Sequence, residues 1–130
     1  MTVAAKVRKE ITATSAVAVG PYSHAVDSDG LVYLSGQPPI DPATGRLVTG
    51  DISSQAEQCF KNLFAVLEAG GLSEGNVLKV NVFLVDMSDF EAMNSVYQDK
   101  FGQPFPARTT IGVASLPLGA RIEIEIIARR

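Results

Sequence analysis

The stretch RIEIEI, residues 121–126, decides the fold of this chain. Isoleucines alternate in it with carboxylates, and successive residues of a β-strand point to opposite faces of a sheet. One face of this strand is therefore apolar and the other is acidic. The stretch VLKVNVFLV, residues 77–85, alternates in the same way, with Leu78, Val80, Val82 and Leu84 on its apolar face. Two such strands predict a sheet that buries one side.

Two amphipathic helices are predicted to cover that side. The first spans residues 52–69, where apolar side chains recur at helical spacing between Asp51, a good N-cap, and the stop signal of two glycines at 70–71. The second opens at Ser88, which is placed to form a capping box with Glu91. Its predicted buried stripe consists of Phe90, Met93, Tyr97 and Phe101.

The remaining segments predict short strands and loops. Four segments fit strands by composition and alternation: residues 6–12, 23–26, 31–35 and 109–113. Residues 27–30 fit the loop of a hairpin, and the glycines and prolines of residues 36–50 predict a long surface loop. The last predicted strands are residues 109–113 and 121–128, which would be direct neighbours if they formed a simple hairpin.

Composition limits the class of protein. A chain of 130 residues with 46% hydrophobic residues predicts one globular domain over residues 1–130. A net charge of −3 without a basic stripe argues against nucleic-acid binding. No apolar run reaches the roughly 18 residues of a membrane span, and residues 1–11 do not resemble a secretory signal. A single cysteine fits a reducing compartment, so a cytoplasmic location is expected. One cysteine and one histidine build no common zinc site, and we predict no metal.

The predicted architecture is an α+β fold with one mixed sheet of about six strands and two helices on one face. The opposite face of that sheet is too mixed for a core and too apolar for open water. It would carry Lys79, Asn81, Phe83, Glu123, Glu125 and Ile127. We therefore expect this face to pack against other subunits, with a polar site in the seam.

An arginine at the start of a predicted strand points to the chemistry of that site. Arg108 lies in the stretch PARTT, residues 106–110. A guanidinium grips a carboxylate through two parallel hydrogen bonds. A glutamate nearby can hold a water or move a proton. The combination indicates a site for a small acidic metabolite.

The order of these motifs resembles the RidA family, also called YjgF. The matching pieces cover residues 10–128. They include GPYS (20–23), SGQ (35–37), DPATG (41–45), KNL (61–63), DMSDF (86–90), PART (106–109) and IEIE (122–125). The resemblance implies a chorismate-mutase-like α+β fold and a homotrimer with three sites between subunits. It implies hydrolysis of short-lived enamines and imines, such as 2-aminoacrylate from pyridoxal-phosphate dehydratases, to 2-keto acids and ammonia, without a cofactor.

The resemblance also implies roles for individual residues. Arg108 would bind the substrate carboxylate and Glu123 would handle the water or proton. The substrate-binding set would contain Tyr22, Ser35, Gly36, Asn94, Thr109 and Thr110. Many relatives carry cysteine where this chain has Thr110, so thiol modification is not expected here. For Asn94, a mediocre helix former in mid-helix, we expect a polar contact across the subunit interface.

Two points stay open at this stage. In a simple hairpin Arg108 and Glu123 would be separated by roughly 10 Å, so either a substrate and a water bridge them or Glu123 reaches in from a neighbouring subunit. The alternative function is a trimeric protein that binds or senses 2-keto acids without turnover. A third interpretation, ribonuclease, is disfavoured by the acidic balance and by the lack of a histidine pair.

Overall fold

A computed structural model describes residues 5–130; residues 1–4, which the single-domain prediction includes, lie outside the described residues. The fold is α+β. The main sheet consists of β1 (Lys9–Ile11), β2 (Ala25–Ser28), β3 (Leu31–Gln37), β6 (Val77–Leu84), β7 (Ala107–Gly112) and β8 (Ile122–Arg129). A small separate hairpin is formed by β4 (Ile40–Asp41) and β5 (Arg46–Leu47), and the helices are α1 (Ile52–Ala69) and α2 (Phe90–Gln98).

The six strands follow the order β1-β2-β3-β8-β6-β7 and form a mixed sheet. Only β6 and β7 pair in parallel; the other neighbours are antiparallel. Parallel neighbours need a long crossover, and α2 supplies it between β6 and β7. Strands β3 and β6 both run antiparallel to β8, so they are parallel to each other, with α1 between them in the chain. Both helices pack into one core on one side of the sheet.

Residues 109–113 and 121–128 do not form the simple hairpin that was one possibility from the sequence. Strand β6 lies between β7 and β8 and pairs with both. The α2 crossover delivers β7 to the outer side of β6, which makes β7 an edge strand. The chain after β7 must then pass the end of β6 to enter β8, and it does so through a short turn at Pro117–Gly119.

Three local features of the structure differ from those predicted from the sequence. Residues 36–50 are not one long loop, because β3 continues to Gln37 and the β4–β5 hairpin follows. The capping box of Ser88 and Glu91 does not form. Instead the Asp86 carboxylate accepts from the Ser88 amide at 2.9 Å and starts a 3-10 turn ahead of α2. Leu78 is exposed, because the register of β6 shifts between Val77 and Lys79.

The division of the sheet into a covered face and an open face is confirmed. The covered face is fully buried beneath the helices and includes Val80, Val82, Leu84, Ile122, Ile124 and Ile126. On the open face the register pairs Phe83 with Glu123, Asn81 with Glu125 and Lys79 with Ile127. All six of these residues are half-buried in the single chain. Strands β1 to β3 extend the same face and expose Tyr33 on it.

Candidate functional site

The Arg108 side chain is held on the covered side of the sheet edge, against α2. Its neighbour in register on β6 is the buried Val80, which fixes this orientation. Arg108 Nη1 donates a hydrogen bond to Asn94 Oδ1 at 2.7 Å. The guanidinium carbon lies 4.7 Å from the centre of the Tyr97 ring and 5.6 Å from that of Phe90. Cation–π attraction of this kind contributes about 0.5–2 kcal/mol.

Helical spacing explains how α2 presents these three partners together. Positions 90, 94 and 97 are four and three residues apart, so their side chains lie on one face of the helix. The planar guanidinium is thus restrained by two rings and one amide, and its other N–H donors have no hydrogen-bond partner among residues 5–130. Such a restrained, uncompensated cation suits a planar carboxylate.

A groove of about 370 Å³ opens beside Arg108, between α2 and the segment that leads into β7. It is lined by Asn94, Tyr97, Gln98, Phe105, Pro106 and Arg108. The buried Tyr97 hydroxyl and Thr110 Oγ1 have no hydrogen-bond partner within residues 5–130. Thr110 follows Arg108 by two positions and shares its face of β7. Burial raises the pKa of the Tyr97 phenol, which therefore stays neutral at physiological pH.

The Glu123 carboxyl group lies on the open face of the sheet, next to Gly36. A Cβ atom on Gly36 would come within 3.0 Å of Glu123 Cδ and 3.1 Å of Oε1. Any side chain at position 36 would therefore crowd the carboxyl group. Burial, and then the negative charge of Glu125 on the same face, raise the pKa of Glu123. A carboxyl group tuned in this direction is suited to exchange protons nearer to neutral pH.

Tyr22 and Ser35 lie on the same side of the molecule as Glu123. Both line a groove of about 450 Å³ with Arg8, Pro21, Ser23, Val26, Tyr33 and Leu34. The Ser35 hydroxyl donates to the Ser23 carbonyl at 2.6 Å, and the Tyr22 hydroxyl accepts from the Val19 amide at 3.1 Å. The Ser35 oxygen is therefore left as an acceptor, and the exposed Tyr22 ring is fixed by its own turn.

The predicted site residues thus fall into two groups that do not meet within one chain. Arg108, Asn94 and Thr110 form the arginine half-site. Glu123, Gly36, Ser35 and Tyr22 form the glutamate half-site. Glu123 on β8 lies beside Phe83 of β6, on the open face. Arg108 on β7 lies beside Val80 of β6, on the covered face, so the two residues are two strands apart. Their Cα atoms are about 14 Å apart at the usual strand spacings, which is more than the hairpin predicted.

Thr109 belongs to neither half-site by its side chain. It points to the open face, where its Oγ1 accepts a hydrogen bond from Lys79 Nζ at 3.0 Å. Alternation along β7 separates it from Arg108 and Thr110, which flank it in sequence. Substrate binding by Thr109 therefore stays a prediction, and within one chain its side chain lies on the opposite face of β7 from Arg108 and Thr110.

Sequence reasoning missed the surroundings of Arg108. It assigned Phe90 and Tyr97 only to the helix core, and it expected Asn94 to reach across a subunit interface. The structure gives Asn94 an arginine partner in its own chain. The signal was present in the common face of positions 90, 94 and 97, but nothing in the sequence shows that β7 lies beneath that face. His24, which received no catalytic role, is buried, and its Nδ1 accepts from the Ala13 amide at 3.0 Å.

Within residues 5–130, no group of three or more histidine, cysteine, aspartate or glutamate side chains is placed to hold a metal ion. No helix in this part of the chain is long and apolar enough to cross a membrane. The geometry defines a class: a small α+β protein with an edge-strand arginine held against a helix and a separate, half-buried glutamate.

The chain belongs to the RidA family. The matching family model, described as "Endoribonuclease L-PSP", covers residues 12–130. A mouse relative, 2-iminobutanoate/2-iminopropanoate deaminase, is 46% identical over 123 residues, which are 94% of this chain and 91% of that protein. Reactive Intermediate Deaminase A, chloroplastic, from Arabidopsis thaliana is 42% identical, covering 96% of this chain and 68% of that protein. The crystal structure of RidA from an Antarctic Psychrobacter is 44% identical and superposes with a TM-score of 0.91, over 95% of this chain and all of that one.

Proposed function

We propose that this protein is a deaminase that hydrolyses reactive 2-imino acids and their 2-enamine precursors to 2-keto acids and ammonia. The observation that carries the proposal is the restrained Arg108 guanidinium, in a residue that lines a groove of small-molecule size. The activity agrees with the name of the mouse relative. A substrate such as 2-aminoacrylate, released by a pyridoxal-phosphate dehydratase, carries the carboxylate that this arginine would bind.

The reaction requires little from the protein beyond orientation of the substrate and one group that accepts and donates protons. Protonation of the enamine at C3 gives the imine. Arg108 holds the carboxylate and so fixes the adjacent C2. Water attacks C2 of the protonated imine, forming the C2–O bond, and gives one proton to Glu123. Glu123 passes that proton to the nitrogen of the carbinolamine. The hydroxyl group then loses its proton as the C=O bond forms, the C2–N bond breaks, and the ammonia that leaves takes up the last proton as ammonium. Because the uncatalysed hydrolysis is already fast, a few kcal/mol of barrier reduction, about tenfold per 1.4 kcal/mol, is sufficient.

The two half-sites are proposed to meet between subunits of a homotrimer with a chorismate-mutase-like arrangement. The open face supports this, because Phe83, Ile127 and Tyr33 lie on it among polar groups without a covering layer. Burial of this face between neighbours would bring the glutamate half-site of one subunit to the arginine half-site of the next. Light scattering should give about three times the chain mass of 13.8 kDa; a mass near one chain would remove the shared site.

The pKa of Glu123 gives a prediction for pH dependence. As a proton acceptor Glu123 must be ionised, so activity should rise with pH through its pKa. That pKa is raised by burial and by the Glu125 charge, which places the acid limb of kcat/KM above the ordinary range of a glutamate. Glu125→Gln removes the second cause and should move the limb to lower pH, while burial still holds it above the ordinary value. An acid limb at an unchanged pH would show that the charge of Glu125 does not raise the pKa of Glu123.

The direct test of the activity is a coupled assay. A dehydratase acting on serine or threonine generates the enamine, and the appearance of keto acid is followed with and without this protein. We expect keto acid to form faster when the protein is present. An unchanged rate would favour the alternative, a trimer that binds 2-keto acids without turnover, since Arg108 serves that role equally well.

Ribonuclease activity, which the family description names, has no comparable support in this chain. The single histidine is buried and engaged with a backbone amide, and the net charge of −3 does not favour a polyanion. We propose a cytoplasmic location and a small-molecule substrate, with no nucleic-acid partner. Incubation of the same protein with RNA, followed by electrophoresis of the RNA, provides the comparison, and we expect no cleavage.

A further inference from the structure

The groove beside Arg108 combines one charged side chain with an apolar surface. The hydrolysis of small imines does not require that apolar surface. Among residues 5–130, Arg108 is the only charged residue that lines the groove. Asn94 and Gln98 add neutral polar groups from α2. Phe105 and Pro106, just ahead of β7, add apolar surface, and the Phe105 side chain is 48% exposed. A large exposed aromatic side chain beside an arginine that can bind a carboxylate suits a ligand that is acidic at one end and apolar at the other.

The size of the groove supports the same conclusion. Its volume of about 370 Å³ falls within the range of about 300–1,000 Å³ for pockets that hold drug-sized ligands. A three-carbon imino acid bound to Arg108 would leave most of it open. A charged or strongly polar tail would lose hydration there without gaining an ionic partner. A branched or aromatic hydrocarbon tail would instead gain contact with Phe105, Pro106 and the Tyr97 ring.

We propose that Phe105, together with Pro106, forms a side-chain subsite that lets this protein take 2-imino acids with branched or aromatic apolar side chains. The inference rests on the proposed function, because the carboxylate bound to Arg108 sets the direction in which the side chain points. Phe105 is then a specificity-determining residue. It touches the substrate side chain and takes no part in the bond changes at C2.

The proposal also fixes the class of reaction that supplies these substrates. Dehydratases form enamines by β-elimination, which requires a leaving group on the β-carbon, as serine and threonine have. Amino acids with hydrocarbon side chains have none. Their imines arise when the amino acid loses two hydrogens, one from Cα and one from nitrogen, to a flavin-type oxidant in a separate enzyme. Water then adds to C2 and ammonia leaves, so hydrolysis at this site involves no further redox step.

The test compares side-chain preference rather than activity alone. An amino-acid oxidase would generate the imines of alanine, leucine and phenylalanine in situ, and kcat/KM would be measured for each. We expect Phe105→Ala to lower the ratio of the phenylalanine-derived to the alanine-derived value at least tenfold. Phe105→Leu should restore most of that ratio. Leu118→Ala is the matched control, because Leu118 is 60% exposed but lies in the turn between β7 and β8, outside the groove.

Calorimetry with products separates this inference from the proposed function. Phenylpyruvate should bind the unaltered protein more tightly than pyruvate, and Phe105→Ala should remove the difference. This holds even if no imine is turned over, which would contradict the deaminase activity but not the subsite. An unchanged preference in Phe105→Ala, by rates and by binding, would overturn the subsite. So would an equal fall for every imine, which would show that Phe105 serves folding or assembly.

Discussion

Replacing Arg108 by alanine is expected to reduce turnover by at least a hundredfold and to abolish measurable binding of pyruvate or 2-oxobutanoate. These keto acids share the carboxylate that the guanidinium would hold. No other cation from the described part of the chain, residues 5–130, lines the groove to take its place in the variant. A lost charge-assisted, two-pronged contact in a desolvated site has effects of this size. Arg108→Lys keeps the charge but loses the planar fork and its stacking between rings, so it should recover only a small part.

The controls for this prediction come from the surroundings of Arg108. Because the side chain stacks on Tyr97 and bonds to Asn94, its removal should also cost about 1 kcal/mol of stability, which a thermal melt would show as a small shift. Arg46→Ala removes an exposed arginine from β5 and should leave both turnover and product binding unchanged. Near-normal turnover in a folded Arg108→Ala protein would contradict the assigned role.

Glu123→Gln is expected to separate chemistry from binding. Glutamine keeps the size and the hydrogen-bonding ability of the side chain and still fits beside Gly36, but it cannot accept the proton. Loss of a general acid–base group costs about 10²–10⁴-fold in turnover, and the lower end is expected because the hydrolysis is intrinsically easy. Product binding should persist or tighten, since one negative charge has left the site.

Calorimetry beside the coupled assay measures both effects, with Glu68→Gln on the exposed face of α1 as the control. Normal turnover in Glu123→Gln would move the proton-handling role to another group. Loss of product binding as complete as that in Arg108→Ala would mean that Glu123 shapes the pocket and does not act on the water.

The covered and open faces of the sheet were predictable because apolar and polar residues alternate visibly within each strand sequence. Residues 121–126 specify which side chains lie on which face, whatever strand lies beside them. The pairing of the strands was not predictable in the same way. The hairpin considered for β7 and β8 relied on closeness in sequence, whereas α2 forms a crossover that places β7 on the far side of β6. That topology is set by long-range packing.

The dependence on long-range packing also explains which features of the candidate site could be predicted from the sequence. The motifs around Arg108 and Glu123 indicated both as candidate site residues, and the motif around Ser35 indicated Gly36; their roles stay predictions. Their distribution over two faces and two half-sites follows only from the strand order. The contacts of Asn94, Phe90 and Tyr97 with Arg108 depend on the placement of α2 above the edge of β7. Periodicity identifies the buried face of a helix but not the residue that meets it.

The central claim is that Arg108 of one subunit works with Glu123 of its neighbour, and mixed trimers test it most directly. Arg108→Ala and Glu123→Gln proteins, each nearly inactive alone, would be co-expressed in equal amounts, or unfolded and refolded together. If each site in a closed ring takes its arginine from one subunit and its glutamate from the next, about a quarter of the sites regain both native residues by random assembly. The account predicts recovery of about that fraction of the unaltered protein's activity. Activity no greater than the sum of the two variants alone, in a mixture shown by mass to contain mixed trimers, would contradict it.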